Sequence, residues 1–300
     1  MRQVRYVNQA IIQIHGTDCF GYEGRGVGVA VLDTGCAPHE DLQGRIPVFC
    51  DILQQRLLPY DDNGHGTHVC GIIGGSGSTS NGSFRGVAPS CHLIPVKVLD
   101  RKGNGYSSDV LCGLRWIRQH RQEYNIRIVN ISVGSFSRRH MSENSTLVQG
   151  VNEAWDDGLI VVVAAGNMGP SSGSITTPGI SRKVITVGCS DDYKEVNVMG
   201  SRMIHYSGRG PTSACICKPD LVAPGASITS CSSRTGGYTA KSGTSMSTPL
   251  VSGAIALLLE KYPAMTNRDV KLFLRENSTS LGLPQNQQGW GILDIKKLLS

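Results

Sequence analysis

Two kinds of hydrophobic pattern alternate along most of the 300 residues. Short, nearly continuous apolar runs rich in β-branched residues predict buried strands at residues 28–32, 92–98, 127–133, 159–164 and 183–188. Segments with helical spacing lie between and after them, at residues 65–73, 108–123, 144–156, 245–262 and 267–276. This alternation is typical of an α/β fold whose mainly parallel sheet is covered by helices on both faces.

Polar residues and prolines mark several of the predicted helix ends. Ser108 is a suitable N-cap for the second helix, and Pro263 ends the long late helix because proline cannot continue it. Thr266 precedes the last helix, and Asp269 three residues later completes a capping-box pattern. These signals support the helical interpretation of the segments that they bound.

The chain shows no internal repeat and no interdomain linker. Its glycine- and serine-rich stretches, residues 74–83 and 166–179, are interpreted as loops because strands and helices alternate on both sides of them. We therefore predict one domain over residues 1–300, in which residues 1–25 form an N-terminal extension before the first core strand.

Composition narrows the class of protein without identifying a function. Hydrophobic residues make up 39% of the chain and charged residues 17%, as in ordinary soluble globular proteins. The net charge is +6, but the basic residues are scattered, and the densest clusters, residues 115–121 and 138–139, are not interleaved with aromatics. We therefore expect a solvated surface and no nucleic-acid partner.

No apolar run is long enough for a membrane span or a signal-peptide core. The longest apolar stretch near the N-terminus is residues 10–12, and the most apolar segment elsewhere is residues 253–259. We expect no membrane partner and a cytoplasmic location. Secretion followed by removal of a prodomain is the alternative.

The ten cysteines lack CxxC pairs and regular spacing. Cys91 and Cys189 lie in apolar runs, where cysteine usually serves as a small buried hydrophobe. Free thiols in a reducing compartment are the better interpretation than five disulfides. A zinc site formed by Cys215, Cys217 and a histidine is a weaker alternative.

Three segments carry the residue types of nucleophilic catalysis. In VAVLDTG an apolar strand ends at Asp33, at the rim where parallel sheets place their sites, although a turn-capping role would explain this residue equally well. In NGHGTHVCG, Gly64 and Gly66 leave the His65 imidazole uncovered, whereas His68 lies further into the helix and is interpreted as a packed structural histidine. A metal site formed by the two histidines is the alternative there, but the glutamate of the zinc protease motif is missing.

The third segment is SGTSMSTPLVSGAIALLLE, in which small residues lead into an apolar helix. Ser245 falls in its first turn, where the helix field favours developing negative charge. Four other hydroxyl residues compete for the role of nucleophile on chemistry alone: Ser242, Thr244, Ser247 and Thr248. The chain order Asp, His, Ser is one of the three known orders of convergent catalytic triads.

The motifs VLDTG, GHGTHVCG and GTSMSTP together closely resemble the signature segments of subtilisin-like (S8 family) serine proteases. The resemblance runs from about residue 26 to the final helices, and it implies a three-layer α/β/α fold. By its pattern Ser245 matches the nucleophile, His65 the general base and Asp33 the carboxylate that orients it. The segment VVVAAGNMG resembles the family's oxyanion segment, in which Asn167 donates to the tetrahedral intermediate.

The resemblance also implies where substrate binds. Ser132, Val133, Gly134 and Ser135 look like one edge of the peptide-binding cleft. Gly103, Asn104 and Gly105 look like the opposite edge. Both edges would pair with an extended peptide or unfolded protein segment by β-augmentation. Met168 would border the first specificity pocket, which suggests large apolar residues before the cleaved bond.

The chain departs from the family's pattern at a calcium site. The loop GGSGSTSNGSFRG contains no carboxylate, so we expect no tight calcium site there and no required cofactor, although Asp41 stays a candidate partial ligand. We assign no metal ligand. Cys70 lies on the His65 helix as core filler or as a site of sensitivity to mercurials. The missing signal and the short N-terminal extension resemble the intracellular bacterial branches of the family.

We predict a serine endopeptidase of broad specificity that works through an acyl-enzyme intermediate. A narrow processing protease for a leader peptide or precursor is the alternative within the same fold. A catalytically inactive binding protein is the alternative from another class. The sequence gives no indication of oligomeric state.

Overall fold

The computed structural model describes residues 21–134, 144–198 and 200–300, and a sheet of seven strands forms its centre. The described strands are β1 (Gly28–Asp33), β2 (Cys50–Asp51), β3 (His92–Lys97), β4 (Ile126–Ile131), β5 (Ile160–Ala164), β6 (Ile185–Cys189), β7 (Val196–Val198), β8 (Ser201–Met203), β9 (Leu221–Ala223), β10 (Ile228–Cys231) and β11 (Tyr238–Lys241). The central sheet has the order β2-β3-β1-β4-β5-β6-β9, and all its pairings are parallel. The pairs β7-β8 and β10-β11 form two antiparallel hairpins.

Helices cover the sheet. The described α-helices are α1 (His65–Gly74), α2 (Ser107–His120), α3 (Thr146–Asp156), α4 (Thr244–Lys261), α5 (Asn267–Asn277), α6 (Gln285–Gln288) and α7 (Ile295–Leu299). Helices α1 and α4 pack together against the sheet, and α2 and α3 form a second packed pair that contacts β1 and β5. This arrangement confirms the predicted three-layer α/β/α fold.

The burial of the strands explains why the hydrophobic pattern of the sequence predicted them. Every residue of β1, β5 and β6 is buried, so apolar side chains are required on both faces of these strands. Helix α4 is buried on nearly all sides, because it packs on α1 as well as on five strands of the sheet. No helix in the described part of the chain is long and apolar enough to cross a membrane.

The predicted helix ends were correct in one case and wrong in another. Thr266 caps α5, and Asp269 accepts hydrogen bonds from its N–H (2.9 Å) and hydroxyl (2.7 Å), as predicted. Ser108, however, is not the cap of α2, because that helix begins one residue earlier. Asp109 accepts a hydrogen bond from the N–H of Tyr106, so the capping position falls two residues before the predicted one. Residues 121–123 lie in a turn after the helix.

Five of the nine cysteines in the described part of the chain are buried, as small hydrophobic residues are. All nine cysteines in the described part of the chain are free thiols, and both Cys91 and Cys189 are buried, as predicted. Cys215 and Cys217 are exposed. The described residues bring no third side chain of metal-ligating type into a cluster with these two, so the zinc alternative is not supported.

Only the end of the predicted N-terminal extension, residues 21–25, lies in the described part of the chain. Glu260 near the end of α4 accepts hydrogen bonds from the N–H groups of Glu23 (2.6 Å), Gly24 (2.6 Å) and Arg25 (3.1 Å). This carboxylate therefore fixes the chain where it enters β1. The prediction of a single domain stays a prediction.

Candidate active site

The predicted site residues lie at one edge of the sheet. Asp33 ends β1, the segment 103–105 follows β3, residues 132–134 follow β4, and Asn167 follows β5. Because these four strands are parallel neighbours, their carboxyl ends meet at the same edge. Topology alone therefore brings together residues that are far apart in the sequence.

Asp33 and His65 form a direct pair. The Nδ1 atom of His65 lies 2.8 Å from Oδ1 and 2.9 Å from Oδ2 of Asp33. Since an ionised carboxylate only accepts, Nδ1 carries the proton and Nε2 keeps its lone pair. Asp33 is buried, whereas the His65 side chain is 24% exposed. The imidazole therefore has one nitrogen fixed and the other available as a base.

The electrostatics of His65 favour its charged form. Burial lowers the pKa of this histidine, but the negative charge of Asp33 and the hydrogen bond to it outweigh burial and raise the pKa above its ordinary value. Asp61 contributes in the same direction from a greater distance, and Lys241 opposes it. A histidine of raised pKa accepts a proton more readily, as a general base must.

Asp61 organises the start of α1, and the sequence interpretation missed it. Its Oδ1 accepts from the Thr34 hydroxyl (2.9 Å) and the Gly64 N–H (2.8 Å), and its Oδ2 accepts from the Thr67 N–H (2.9 Å) and hydroxyl (2.7 Å). Burial raises the pKa of Asp61, but the hydrogen bonds, led by the one from Thr67, lower it overall. Asp61 thereby ties the turn after Asp33 to the first turn of the His65 helix. An aspartate three residues before the glycine that precedes a helix is the sequence signal that could have indicated this role.

The flanking glycines allow α1 to approach that turn. Gly64 has φ of +97°, a conformation that favours glycine. A Cβ atom on Gly66 would lie 2.1 Å from the Gly35 carbonyl oxygen. The close approach places the His65 imidazole beside Asp33, as the pattern around His65 predicted.

Lys97 is a buried cation beside the same turn, and it was also missed. Its Nζ donates to the Thr34 carbonyl (2.6 Å) and the Leu99 carbonyl (3.0 Å), and it pairs with Asp62 (2.7 Å). The side chain is 1% exposed, so its charge requires these partners. Lys97 therefore connects β3 to the turns on either side of the Asp33–His65 pair.

His68 is a structural residue, in agreement with its interpretation from the sequence. It is fully buried, and its Nε2 donates to the Ile228 carbonyl (3.0 Å) and the Thr239 carbonyl (3.1 Å). Burial is the main cause that lowers its pKa to about 3, so the ring stays neutral. It anchors α1 to the β10-β11 hairpin.

Ser245 lies in the first turn of α4, as predicted. Its hydroxyl donates to the Ser132 carbonyl at a distance of 2.7 Å, and the described residues include no hydrogen bond from it to His65. Thr244, Ser247 and Thr248 are fully buried, whereas Ser245 is partly exposed. Exposure thus singles out Ser245 among the hydroxyls inside the helix.

The fourth competing hydroxyl, Ser242, stands just before the helix. Its Oγ accepts a hydrogen bond of 2.9 Å from the Ser227 N–H, which holds it toward the β10 segment. The geometry therefore favours Ser245 over each of the four alternatives that the sequence left open.

The Asn167 side chain is held in one orientation. Its Oδ1 accepts from the Thr244 N–H (2.9 Å) and the Thr244 hydroxyl (3.1 Å). The amide NH₂ therefore points to the other side, where it borders Gly243: a Cβ atom on that glycine would lie 3.2 Å from Nδ2. Asn167 presents a donor next to the start of α4, which is the arrangement that an oxyanion site needs.

The predicted substrate edges are accessible in part. Gly103, Asn104 and Gly105 are exposed, and Asp100 closes their turn by accepting from the Asn104 N–H (2.9 Å). Along the other edge exposure increases from buried Ser132 to exposed Gly134. Met168 is 48% exposed, and Ser135 lies outside the described residues.

The loop after α1 donates to Asp41. The carboxylate Oδ1 accepts from the Ser78 hydroxyl (3.0 Å) and the Thr79 N–H (3.1 Å), and Oδ2 accepts from the Tyr238 hydroxyl (2.6 Å). Burial raises the pKa of Asp41, but these hydrogen bonds lower it overall. Calcium would need the loop itself to supply oxygen ligands, whereas Ser78 and Thr79 direct hydrogen-bond donors at Asp41.

Cys70 is buried next to Cys36. A hydrogen bond with Cys36 and burial raise the pKa of the Cys70 thiol, which favours the protonated and less reactive form. The geometry thus agrees with a packing role. Sensitivity to mercurials stays a prediction.

Comparison with known proteins assigns the family. A sequence profile of the subtilase family, peptidase S8, matches residues 24–291. The chain is 43% identical to serine protease AprX of Bacillus subtilis (strain 168) over 272 residues, which cover 85% of this chain and 62% of AprX. It is 35% identical to subtilisin DY of Bacillus licheniformis over 280 residues, which cover 92% of each. The chain therefore belongs to the subtilase family, as the three motifs predicted.

Solved structures show the same fold. Sphericase superposes with a TM-score of 0.79 at 31% identity, over 95% of this chain and 97% of that one. A cold-adapted subtilisin-like serine proteinase superposes with a TM-score of 0.73 at 30% identity, over 91% and 90% of the two chains. The chain spans only about 62% of the length of AprX, however, so these likenesses describe the part of that relative that it matches.

Proposed function

We propose that this chain is a serine endopeptidase in which Asp33, His65 and Ser245 act as the catalytic triad. The observation that carries the proposal is the Asp33–His65 pair at the edge of the sheet where the partly exposed Ser245 begins α4. The family and the relatives named as serine proteases support the same reaction class.

The proposed chemistry assigns a step to each group. His65 Nε2 takes the proton of the Ser245 hydroxyl as Oγ attacks the carbonyl carbon of the scissile peptide bond. The negative charge that develops on the carbonyl oxygen is stabilised by the Asn167 amide and by the backbone N–H of Ser245 at the helix N-terminus. Asp33 stabilises the imidazolium, which then protonates the leaving amine. Water hydrolyses the acyl-enzyme by the same sequence of proton transfers.

The Ser245 hydroxyl must exchange its hydrogen-bond partner before it can react. In the described geometry its hydroxyl is held by the Ser132 carbonyl, so that hydrogen bond must break as His65 becomes the acceptor. The attack therefore begins from a serine whose hydroxyl is held by a backbone carbonyl.

The proposed substrate is an extended peptide or an unfolded protein segment. The exposed residues 103–105 and 133–134 offer two backbone edges with which a peptide can form main-chain hydrogen bonds. Recognition of this kind reads few side chains, which favours broad specificity. The partly exposed Met168 beside Asn167 favours an apolar residue before the cleaved bond.

Active-site labelling tests the proposal. A fluorophosphonate probe should label the chain, and Ser245→Ala should abolish the labelling while Ser242→Ala keeps it. A mixed peptide pool should then be cut after large apolar residues. Labelling that survives in Ser245→Ala would exclude the assignment. Cleavage of a single sequence would favour the narrow processing protease, and a folded but unlabelled chain would favour the inactive binding protein.

We also propose that the enzyme needs no calcium at the loop after α1. The support is the set of donors that this loop directs at Asp41. Addition of calcium at millimolar concentration should leave the unfolding temperature unchanged. An increase of several degrees that is lost in Asp41→Asn would contradict the proposal.

A further inference from the structure

A second cluster of chemically reactive side chains lies away from the triad. His39, Asp41 and Cys231 each place one ligand atom within 4.8 Å of the other two. All three are buried, with exposures of 6%, 1% and 1%. Within residues 21–134, 144–198 and 200–300, no other three histidine, cysteine or acidic side chains come together in this way.

The histidine of this cluster is oriented as a metal ligand would be. Its Nε2 lies 2.8 Å from the Gly237 carbonyl, which can only accept, so Nε2 carries the proton. Its Nδ1 is therefore the basic nitrogen, and it accepts a hydrogen bond of 3.1 Å from the Asp41 N–H. Ligand histidines usually donate their other N–H to a backbone carbonyl or carboxylate, which fixes the tautomer.

The carboxylate is supported in the same manner. The Tyr238 hydroxyl and the Ser78 hydroxyl hold the two oxygens of Asp41 at 2.6 Å and 3.0 Å. Hydrogen bonds of this kind orient ligating carboxylates in metal sites. The cluster thus has an outer layer of partners on both of its non-sulfur ligands.

We propose that His39 Nδ1, an Asp41 carboxylate oxygen and the Cys231 thiolate form a binding site for a borderline divalent cation of the zinc type. A donor set of one nitrogen, one oxygen and one sulfur suits zinc, cobalt or cadmium, whereas calcium and magnesium need oxygens. Around zinc such ligand atoms lie about 3.3–3.8 Å apart, so the cluster must contract by about 1 Å. The three side chains fill three positions of a tetrahedral site, and a water molecule that enters with the cation would fill the fourth.

Binding exchanges protons and hydrogen bonds in a defined way. The Cys231 thiol releases its proton to solvent, and the thiolate and carboxylate together balance the two charges of the cation. The cation replaces the Asp41 N–H as the partner of His39 Nδ1. No oxidation or reduction takes place.

The site would join three segments around the His65 helix. His39 and Asp41 belong to the segment that follows β1, and Asp41 already bonds to the loop after α1. Cys231 ends β10 and packs on α1, since a Cβ atom on Gly71 would lie 2.7 Å from its sulfur. A cation here crosslinks the surroundings of α1 without entering the reaction, so the site does not depend on the proposed peptidase activity.

Cobalt(II) tests the site because its thiolate complexes absorb in the near ultraviolet. The full chain is prepared as Ser245→Ala, which prevents self-digestion, and it is freed of metal by chelation and desalting. One equivalent of cobalt should produce the thiolate band and the visible bands of tetrahedral cobalt, and zinc should displace both. Zinc should also raise the unfolding temperature by several degrees. Absence of the thiolate band would overturn the proposal.

Matched variants assign the band to its ligands. Cys231→Ser should abolish it, and His39→Gln should weaken cobalt binding at least tenfold, with circular dichroism used to verify that each variant folds. Cys91→Ser, which removes a buried thiol elsewhere, should leave the band unchanged. The double variant Cys36→Ser, Cys70→Ser should also keep it. A band that persists in Cys231→Ser, or one that disappears in the double variant, would place the metal on other thiols and overturn the assignment.

Discussion

The two halves of the candidate triad differ in how far they are assembled. The Asp33–His65 half is complete: two contacts of 2.8 Å and 2.9 Å join the carboxylate to the imidazole. The Ser245 half is not, because its hydroxyl is bonded to the Ser132 carbonyl. The first half joins a buried side chain of β1 to a side chain of α1. In the second half the Ser245 hydroxyl contacts a backbone carbonyl at the edge where we propose that substrate binds.

This difference separates the two tasks of the site. Fixing the base in one tautomer requires a buried acceptor, and the protein supplies it permanently. Aligning the nucleophile requires its hydroxyl to leave the Ser132 carbonyl for His65, and we expect substrate contacts to induce this exchange. We therefore expect the first half to set the pH dependence and the second half to respond to substrate.

The largest expected loss of kcat comes from removing Ser245 or His65, the two residues that must hydrogen-bond to each other for the reaction. Ser245→Ala and His65→Ala should each lower kcat by about 10⁶-fold, as the corresponding changes do in subtilisin. Because serine and histidine act as a unit, the double variant should be no slower than either single one. Steady-state assays on a peptide substrate measure this. Additive losses would show that the two residues act independently.

Asp33→Asn tests the assembled half alone. An amide can present its NH₂ to Nδ1 and so favour the wrong tautomer, and we expect kcat to fall by about 10⁴-fold. The acid limb of the rate profile should also move to lower pH, since Asp33 raises the His65 pKa. A loss of less than tenfold would show that the pair is structural.

Asn167→Ala tests the nucleophile's half without touching the base. We expect kcat to fall by about 10²–10³-fold with little change in KM, because the donor acts on charge that appears only in the transition state. Thr244 would lose the acceptor that its N–H and hydroxyl share, so the unfolding temperature should be measured in parallel. A rise in KM at unchanged kcat would assign Asn167 to ground-state binding.

Asp61→Asn has the smallest expected effect. It tests how a neighbouring charge changes the His65 pKa in the Asp33–His65 half. Removal of this charge lowers the pKa of His65, so the acid limb of kcat/KM should shift to lower pH, because the base stays neutral further down the scale. Loosening of the loop should lower kcat/KM by about tenfold.

Asp51→Asn is the matched control for Asp61→Asn. Asp51 is another buried aspartate that accepts backbone N–H groups, from Leu53 and Gln54, but it is not among the groups that shift the His65 pKa. It should therefore leave the acid limb unchanged. Equal shifts in the two variants would show that the effect of Asp61 is general and not specific to His65.

The sequence predicted the parts of this molecule that depend on local pattern. Strands that are buried on both faces must be apolar throughout, so five of the seven strands of the central sheet could be located. The strands β2 and β9 are only 2 and 3 residues long and carry too little pattern to be recognised. The three motifs indicated Asp33, His65 and Ser245, because each lies where a strand ends or a helix begins.

The supporting residues could not be predicted in the same way. Asp61 and Lys97 act through contacts with the turn after Asp33, and Lys97 lies 63 residues from the carbonyl of Thr34 to which it donates. In the sequence Lys97 appears as an ordinary charged residue, and the only local signal for Asp61 is its position three residues before Gly64. The link between Ser245 and Ser132 joins residues 113 positions apart through a backbone oxygen, which no side-chain pattern encodes.

The hydrogen bonds from residues 23–25 to Glu260 fix the distance between the preceding segment of the chain and Ser245. Glu260 lies fifteen residues after Ser245 on the same helix, which corresponds to about 22 Å along the axis. A segment that enters at Glu23 therefore starts near the opposite end of α4 from the nucleophile. About seven fully extended residues would be needed to cover that distance. If the proposed triad cleaves the leading segment of its own chain, we therefore expect the cut to fall well upstream of Glu23.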